Sequence, residues 1–168
     1  MWFVREGKPA KVLDARELGG PPDGIAISPD EQFLYLTAGF GRLKRYRIGE
    51  NGALSEGMMF AEGEGIGDGL KVDRQGNVYS VSGGGPGIVR VTAPDGKLLG
   101  SINLPVSDQE PKRQICASNL AFGGQDDKTL FIAACQAVFK IQLRAAGPVA
   151  TIGPTTAARS PPAPSPTP

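Results

Sequence analysis

Ahead of residue 144 the chain alternates short runs of β-branched, aromatic or aliphatic residues with clusters of Gly, Pro, Asp and Asn. No stretch of about 12 residues carries apolar positions at helical spacing, so the pattern predicts short strands joined by turns. The runs repeat. Asp23-Gly24-Ile25-Ala26-Ile27 and Asp68-Gly69-Leu70-Lys71-Val72 open similar segments, and Ser118-Asn119-Leu120-Ala121-Phe122 opens a third. Each opening run leads into a polar turn: Ser28-Pro29-Asp30-Glu31, Asp73-Arg74-Gln75-Gly76-Asn77 and Gly123-Gly124-Gln125-Asp126-Asp127. A second run follows each turn: Phe33-Leu34-Tyr35-Leu36, Val78-Tyr79-Ser80-Val81 and Leu130-Phe131-Ile132-Ala133. Third strands are predicted over 43–48, 88–91 and 137–143, and fourth strands over 57–60 and 97–102. Four antiparallel strands every ~40 to 50 residues is the period of a β-propeller blade. A hairpin over 2–5 and 11–14, turning at Glu6-Gly7-Lys8-Pro9, reads as the outer half of a preceding blade. The chain thus holds about three and a half blades, fewer than the four to eight that close a ring. It reads as the C-terminal part of a larger propeller. An open arc of this kind leaves apolar sheet faces bare, so self-association, or pairing with an N-terminal half, is expected.

Composition adjusts this picture at the end of the chain. From Arg144 onward Ala, Pro, Ser and Thr dominate, too little apolar surface to offset the entropy of ordering. The expected organisation is a folded domain over 1–143 and a disordered Pro-rich tail over 144–168. The 24 glycines and 15 prolines in 168 residues also argue against a helical bundle.

Charge and residue inventory then narrow the chemistry. Eighteen basic and 17 acidic residues leave a net charge of +1, so no global field favours nucleic acid or an anionic membrane surface. The basic stretch Arg42-Leu43-Lys44-Arg45-Tyr46-Arg47 divides between the two faces of a strand and reads as a solvated strand. The chain has no histidine, which excludes His-based triads, dyads, metal ligands and general bases. Gly63-Glu64-Gly65-Ile66-Gly67-Asp68 carries Asp where a dinucleotide loop needs its third glycine, and no phosphate loop or nucleophile elbow occurs. Cys116 and Cys135 are too few for a thiolate zinc site. Pairing Phe122 with Phe131 would set them diagonally across a hairpin and out of disulfide register, so reduced thiols are expected. The N-terminus lacks an apolar export segment and no run of ~18 apolar residues occurs, which points to a cytoplasmic location.

Asp23 and Asp68 stand out because they occupy equivalent starts of successive repeats. Propeller geometry points such residues into one channel mouth, where paired carboxylates suit a hard divalent cation. The same Asp-Gly pairs also satisfy ordinary turn chemistry, and both readings stay open at this point.

Four stretches in order carry a family resemblance. Pro22-Asp23-Gly24-Ile25-Ala26-Ile27-Ser28-Pro29-Asp30-Glu31 with Leu34-Tyr35 resembles the P-N-G-[IL]-A-x-S-P-D-E…LY segment of gluconolactonases. Gly65-Ile66-Gly67-Asp68-Gly69-Leu70-Lys71-Val72-Asp73 with Gly76-Asn77-Val78-Tyr79 is similar to their G-I-P-D-G-x-x-V-D…GN-[VL]-Y segment. Ala93-Pro94-Asp95-Gly96-Lys97-Leu98-Leu99-Gly100 and Asn119-Leu120-Ala121-Phe122-Gly123-Gly124 match two further stretches. The chain therefore resembles, over about 1–143, the gluconolactonase, senescence-marker-protein (regucalcin) and luciferin-regenerating-enzyme family of six-bladed propellers.

The resemblance implies an all-β fold, part of a six-bladed β-propeller, and a metal-dependent hydrolase of sugar lactones. It also implies one divalent cation, Ca²⁺ first, with Zn²⁺, Mg²⁺ or Mn²⁺ as alternatives, on the channel axis. By position Asp68 matches a metal ligand and the base, and Asp23 stands where the family has a ligand Asn. Gly67 replaces the usual Pro. The family's Glu ligand belongs to a first blade that lies outside this chain. The implied partner is a small-molecule lactone. The competing reading is a non-catalytic propeller fragment, serving as an interaction module or an inactive remnant.

Overall fold

The computed structural model describes residues 2–5, 8–39, 41–84, 87–105 and 115–148. Three antiparallel sheets carry most of the described chain. The first contains β3 (Pro22–Ile27), β4 (Phe33–Ala38), β5 (Arg42–Arg47) and β6 (Met58–Glu62) in spatial order of sequence. The second contains β7 (Leu70–Val72), β8 (Val78–Ser80), β9 (Ile88–Thr92) and β10 (Leu98–Asn103), again as a meander. In the third, β11 (Ala117–Gly123), β12 (Thr129–Ala134) and β13 (Val138–Gln142) pair in series. These are the strands the repeat predicts, and their arrangement is propeller-like.

Alternation within each strand packs the sheets face to face in series. Tyr35, Leu43 and Phe60 of the first sheet meet Leu70, Val72 and Val78 of the second. On that sheet's other face Tyr79, Val81 and Val89 meet Leu120, Leu130 and Ile132 of the third. The turn between β7 and β8 is organised by Asp73, whose carboxylate is fully buried. It accepts hydrogen bonds from the backbone of Gln75 and Asn77, both at 2.9 Å, from Asn77 Nδ2 at 2.8 Å and from the Tyr79 hydroxyl at 3.2 Å. A buried carboxylate is tolerated here because four donors replace the water it loses.

Three expectations need correction. The first concerns the N-terminal hairpin, where β1 (Trp2–Arg5) pairs with β2 (Lys8–Lys11) and Arg5 faces Lys8. The second strand therefore starts earlier than residue 11, at Lys8, and the expected turn residues Glu6 and Gly7 lie outside the described residues. It cannot extend to residue 14, because Asp14 caps a short helix that strand periodicity did not reveal, α1 (Ala15–Leu18). Asp14 Oδ1 accepts from the Arg16 and Glu17 amides while Glu17 Oε2 accepts from the Asp14 amide, a reciprocal capping box. Leu18 is driven under this helix against Leu34, Leu36 and Tyr46.

The second correction is the cysteine pair. β11 and β12 pair Phe122 with Leu130, one residue away from the expected register, and a bulge between Ala117 and Asn119 shifts the pairing again. Both displacements bring Cys116 opposite Cys135, with Cα atoms 5.4 Å apart, and the two form a disulfide rather than free thiols.

The third concerns the tail. Residues 149–168 of the expected 144–168 segment lie outside the described residues, but Ala146 and Gly147 are anchored. The Arg74 amide donates to Ala146 O at 2.9 Å, Arg74 Nε donates to Gly147 O at 2.9 Å, and the Gly147 amide donates to Asp127 O at 2.8 Å.

The basic stretch of β5 is absorbed by local contacts. Arg42 Nη2 and Lys44 Nζ donate to the Gly19 and Glu17 carbonyls at the end of α1, at 2.6 and 3.1 Å. Arg45 lies over the rings of Phe33 and Phe60, and Arg47 over Phe33. The turn assignment yields a prediction. Asp73→Ala strands the Tyr79 hydroxyl and two turn amides, so thermal unfolding should show a loss of about 3 kcal/mol or more, with hydrogen bonds to a charged group worth about 1.5–3 kcal/mol.

Candidate functional site

Asp23 and Asp68 come together. Asp23 lies in a β-bulge at the start of β3, between the paired residues Pro22 and Ile25, and Asp68 lies two residues before the start of β7. Both line one cavity of about 380 Å³, with Pro21, Gly39, Ser82 and Gly83. Burial pushes the Asp68 carboxyl above its ordinary value; the Asp23 charge beside it adds to that rise, and the Gly69 amide partly offsets it.

What holds the two openings together is a fully buried hydroxyl that strand patterning passed over. Thr37 Oγ1 accepts from the Gly24 amide at 2.7 Å. It donates toward the carbonyls of Asp68 and Gly24, at 3.1 and 3.3 Å. Its signal in the sequence is a polar residue interrupting Phe33-Leu34-Tyr35-Leu36-Thr37-Ala38. Two glycines make the approach possible. A Cβ at Gly24 would collide with the Asp68 carbonyl, and one at Gly83, whose φ is +75°, would collide with the Asp68 carboxylate.

The third opening supports the site from behind. Ser118 O accepts the Gly69 amide at 3.1 Å, and Ala117 O accepts the Gly83 amide at 2.8 Å, so both neighbours of the Asp68 carboxylate rest on the start of β11. The opening residues of the third repeat do not line this cavity. Asn119 folds its Oδ1 back onto the Leu120 amide at 2.8 Å and lines a different cavity, beside Phe131 and Val138.

A further cavity of about 250 Å³ lies at the opposite strand ends, between Ser28, Asp30, Tyr35, Arg45 and Arg74. Its arginines are already engaged: Arg45 donates to Pro94 O at 3.1 Å and Arg74 pairs with Asp127 at 2.8 Å. The candidate chemistry therefore rests on the Asp23–Asp68 cavity. Two neighbouring carboxylates are oxygen donors of like charge and match a hard divalent cation in donor type and charge. Among the described residues no group of three or more Cys, Asp or Glu side chains gathers in a metal-holding arrangement. The pair fits part of a coordination shell.

Comparison with known proteins agrees with this architecture. Residues 6–136 match the model of the SMP-30/Gluconolactonase/LRE-like region. A gluconolactonase of Zymomonas mobilis is 31% identical over 148 residues, covering 80% of this chain and 38% of that protein. The solved structure of a gluconolactonase from Xanthomonas campestris superposes with a TM-score of 0.59 at 34% identity, over 74% of this chain and 38% of the other. A calcium-binding protein, regucalcin, from Agrobacterium tumefaciens shares the fold with a TM-score of 0.69 at 20% identity, over 87% of this chain and 52% of the other. The chain thus spans about two fifths of the length of the curated relatives it matches.

Two outcomes follow for the site. In Asp23→Asn, loss of the neighbouring charge should lower the pH at which Asp68 titrates, read from its side-chain carboxyl signal by NMR. Because the folded-state value is raised, ionising Asp68 costs stability as pH rises from the ordinary carboxylate range through that value. The variant should therefore be the more stable protein above that window and show no gain below it. Thr37→Val, of equal shape, should destabilise by about 1–3 kcal/mol in denaturant titration, since it leaves the buried Gly24 amide without its acceptor.

Proposed function

Because this chain belongs to the SMP-30/Gluconolactonase/LRE-like family, we propose that it contributes the Asp23–Asp68 half of a metal-dependent site that hydrolyses sugar lactones, within a six-bladed propeller. The observation that carries this reading is the convergence of the two carboxylates in one cavity at equivalent starts of adjacent sheets. Asp23 and Asp68 would hold one divalent cation, Ca²⁺ in preference to Mg²⁺, Mn²⁺ or Zn²⁺. Such an ion, when bound, supplies Lewis acidity toward a carbonyl oxygen and lowers the pKa of water.

The roles of the chain's own groups follow from their placement. Asp68 accepts the proton of the water that adds to the lactone carbonyl. Its partial burial suits this role, since a raised pKa brings the carboxylate nearer the operating pH of a general base. The ring C–O bond then breaks, and the proton passes to the departing alkoxide, giving the open hydroxy acid. No covalent intermediate is required, in keeping with a chain that has no histidine to activate a nucleophile. Gly83 makes room for the Asp68 carboxylate, which fills the space a side chain there would take. Asp23, in place of the family's Asn, strengthens cation binding by its charge but weakens the field that activates water.

Affinity and rate should therefore separate. In a propeller reconstituted with its remaining blades, Asp68→Asn should lower turnover of a gluconic lactone in a pH-stat assay by about 10²–10⁴-fold, the contribution of a positioned base. Asp23→Asn should bind Ca²⁺ equally or more weakly in calorimetry and turn over at least as fast. Unchanged turnover in Asp68→Asn would remove that residue from the mechanism and leave both Asp-Gly pairs as turns.

A further inference from the structure

We propose that the Cys116–Cys135 disulfide is a redox-controlled brace on the candidate site: its reduction frees the start of β11, loosens the wall around Asp68 and weakens divalent-cation binding there. The regulatory part rests on the cation reading of the Asp23–Asp68 cavity given above, whereas the brace rests on backbone contacts alone. The carbonyls on either side of Cys116 support the second sheet. Ala117 O accepts the Gly83 amide at 2.8 Å and Ser118 O accepts the Gly69 amide at 3.1 Å. Gly69 follows Asp68 in the chain, and Gly83 packs on the Asp68 carboxylate. The fit is close, since a Cβ at Gly69 would collide with Ser118 O and Asn119, and one at Gly87 with Ile115 O. A shift of the backbone over 115–118 is therefore felt on both sides of Asp68.

The sheet itself holds this stretch weakly. Regular pairing runs from Gly123 opposite Thr129 to Asn119 opposite Ala133, and the bulge at Ser118 then leaves Ala117 opposite Ala134 as a last rung. Ser118 Oγ adds one bond to Ala133 O at 3.3 Å. Beyond that rung the Cys135 amide reaches Cys116 O at 3.4 Å, long against the usual ~2.9–3.0 Å of a backbone hydrogen bond. The disulfide is the covalent tie across this interrupted end. Leu120, Leu130 and Ile132, which pack the third sheet on the second, lie on the other side of the bulge. The sheet therefore keeps its core when the sulfurs separate, and the loss is confined to the end that faces Asp68.

The reaction is thiol–disulfide exchange with a dithiol reductant. One thiolate of the dithiol attacks the sulfur of Cys135, which lies in the turn between β12 and β13, and the S–S bond breaks with Cys116 leaving as its thiolate. The second thiolate of the dithiol then attacks the mixed disulfide, Cys135 leaves, and the dithiol closes to a cyclic disulfide. Two electrons pass from the dithiol to the cysteine pair, and the two protons the dithiol gives up pass through water to the cysteines. An oxidant that accepts the same two electrons and two protons restores the brace.

The test is amide hydrogen exchange by NMR on the 168-residue chain, oxidised and then reduced with dithiothreitol, with circular dichroism to confirm folding. Reduction should speed exchange of the Gly69 and Gly83 amides by about tenfold or more. First-sheet amides such as that of Ile48, which donates to Gln32 O at 2.8 Å, should keep their rates. In calorimetry, Cys116→Ser/Cys135→Ser should bind Mn²⁺ about tenfold more weakly than oxidised wild type, the scale on which lost support of a metal ligand acts. If that variant unfolds, reduced wild type gives the same reading. Unchanged exchange at Gly69 and Gly83, acceleration throughout the chain, or equal Mn²⁺ affinity with and without the disulfide would each overturn the proposal. Oxidised protein that binds no Mn²⁺ would refute the cation reading instead, and the exchange rates would still decide the brace.

Discussion

The candidate site depends on how closely the opening turn of one sheet can approach the backbone of the next. Gly24 is set so near the Asp68 carbonyl that any Cβ would collide, and the Thr37 hydroxyl bridges the small gap that remains. That approach fixes Asp23 relative to Asp68. It also explains why two residues far apart in sequence share a cavity without any direct ion pair to hold them. The backbone makes the attachment, so neither carboxylate is needed to hold the two openings together. A site built this way brings like charges together at the expense of stability, which face-to-face packing of Tyr35, Leu43, Leu70 and Val78 offsets elsewhere.

The same principle extends to the third sheet. Ser118 and Ala117 present carbonyls to the amides of Gly69 and Gly83, so the wall around Asp68 is made from β11 as well as β7. The Cys116–Cys135 disulfide ties the start of β11 to the end of β12 just where those carbonyls project. Sheet packing, disulfide and site geometry are thus parts of one construction, and a bulge at Ser118 is what lets them coincide.

How much of this the sequence announces depends on the range of the interaction concerned. Strand existence was legible because the short apolar runs Leu34–Leu36 and Leu130–Ile132, bounded by polar turns, are a local mark of strands. The pairing of Asp23 with Asp68 was legible because repetition turns sequence offset into spatial equivalence. Other features were not local. The register of β11 against β12 combines a one-residue shift with a bulge that no residue pattern marks, so the cysteines looked misaligned by two positions. Helix α1 is too short to show a period, and its signature was the capping pair Asp14 and Glu17 rather than hydrophobic spacing. Thr37 looked like an ordinary strand residue until the neighbouring sheet supplied its partners. Asn119 matched the repeat in position but not in side-chain direction, because its amide satisfies its own strand.

The central claim is that Asp23 and Asp68 jointly form the cation-binding end of this chain. Anomalous diffraction from crystals soaked in Mn²⁺, a hard-oxygen stand-in for Ca²⁺, locates the ion without reference to turnover. The account predicts one strong anomalous peak within coordination distance of both the Asp23 and Asp68 carboxylates. A peak at other residues with none between these two, or a cavity that stays free of metal at saturating Mn²⁺, would contradict it.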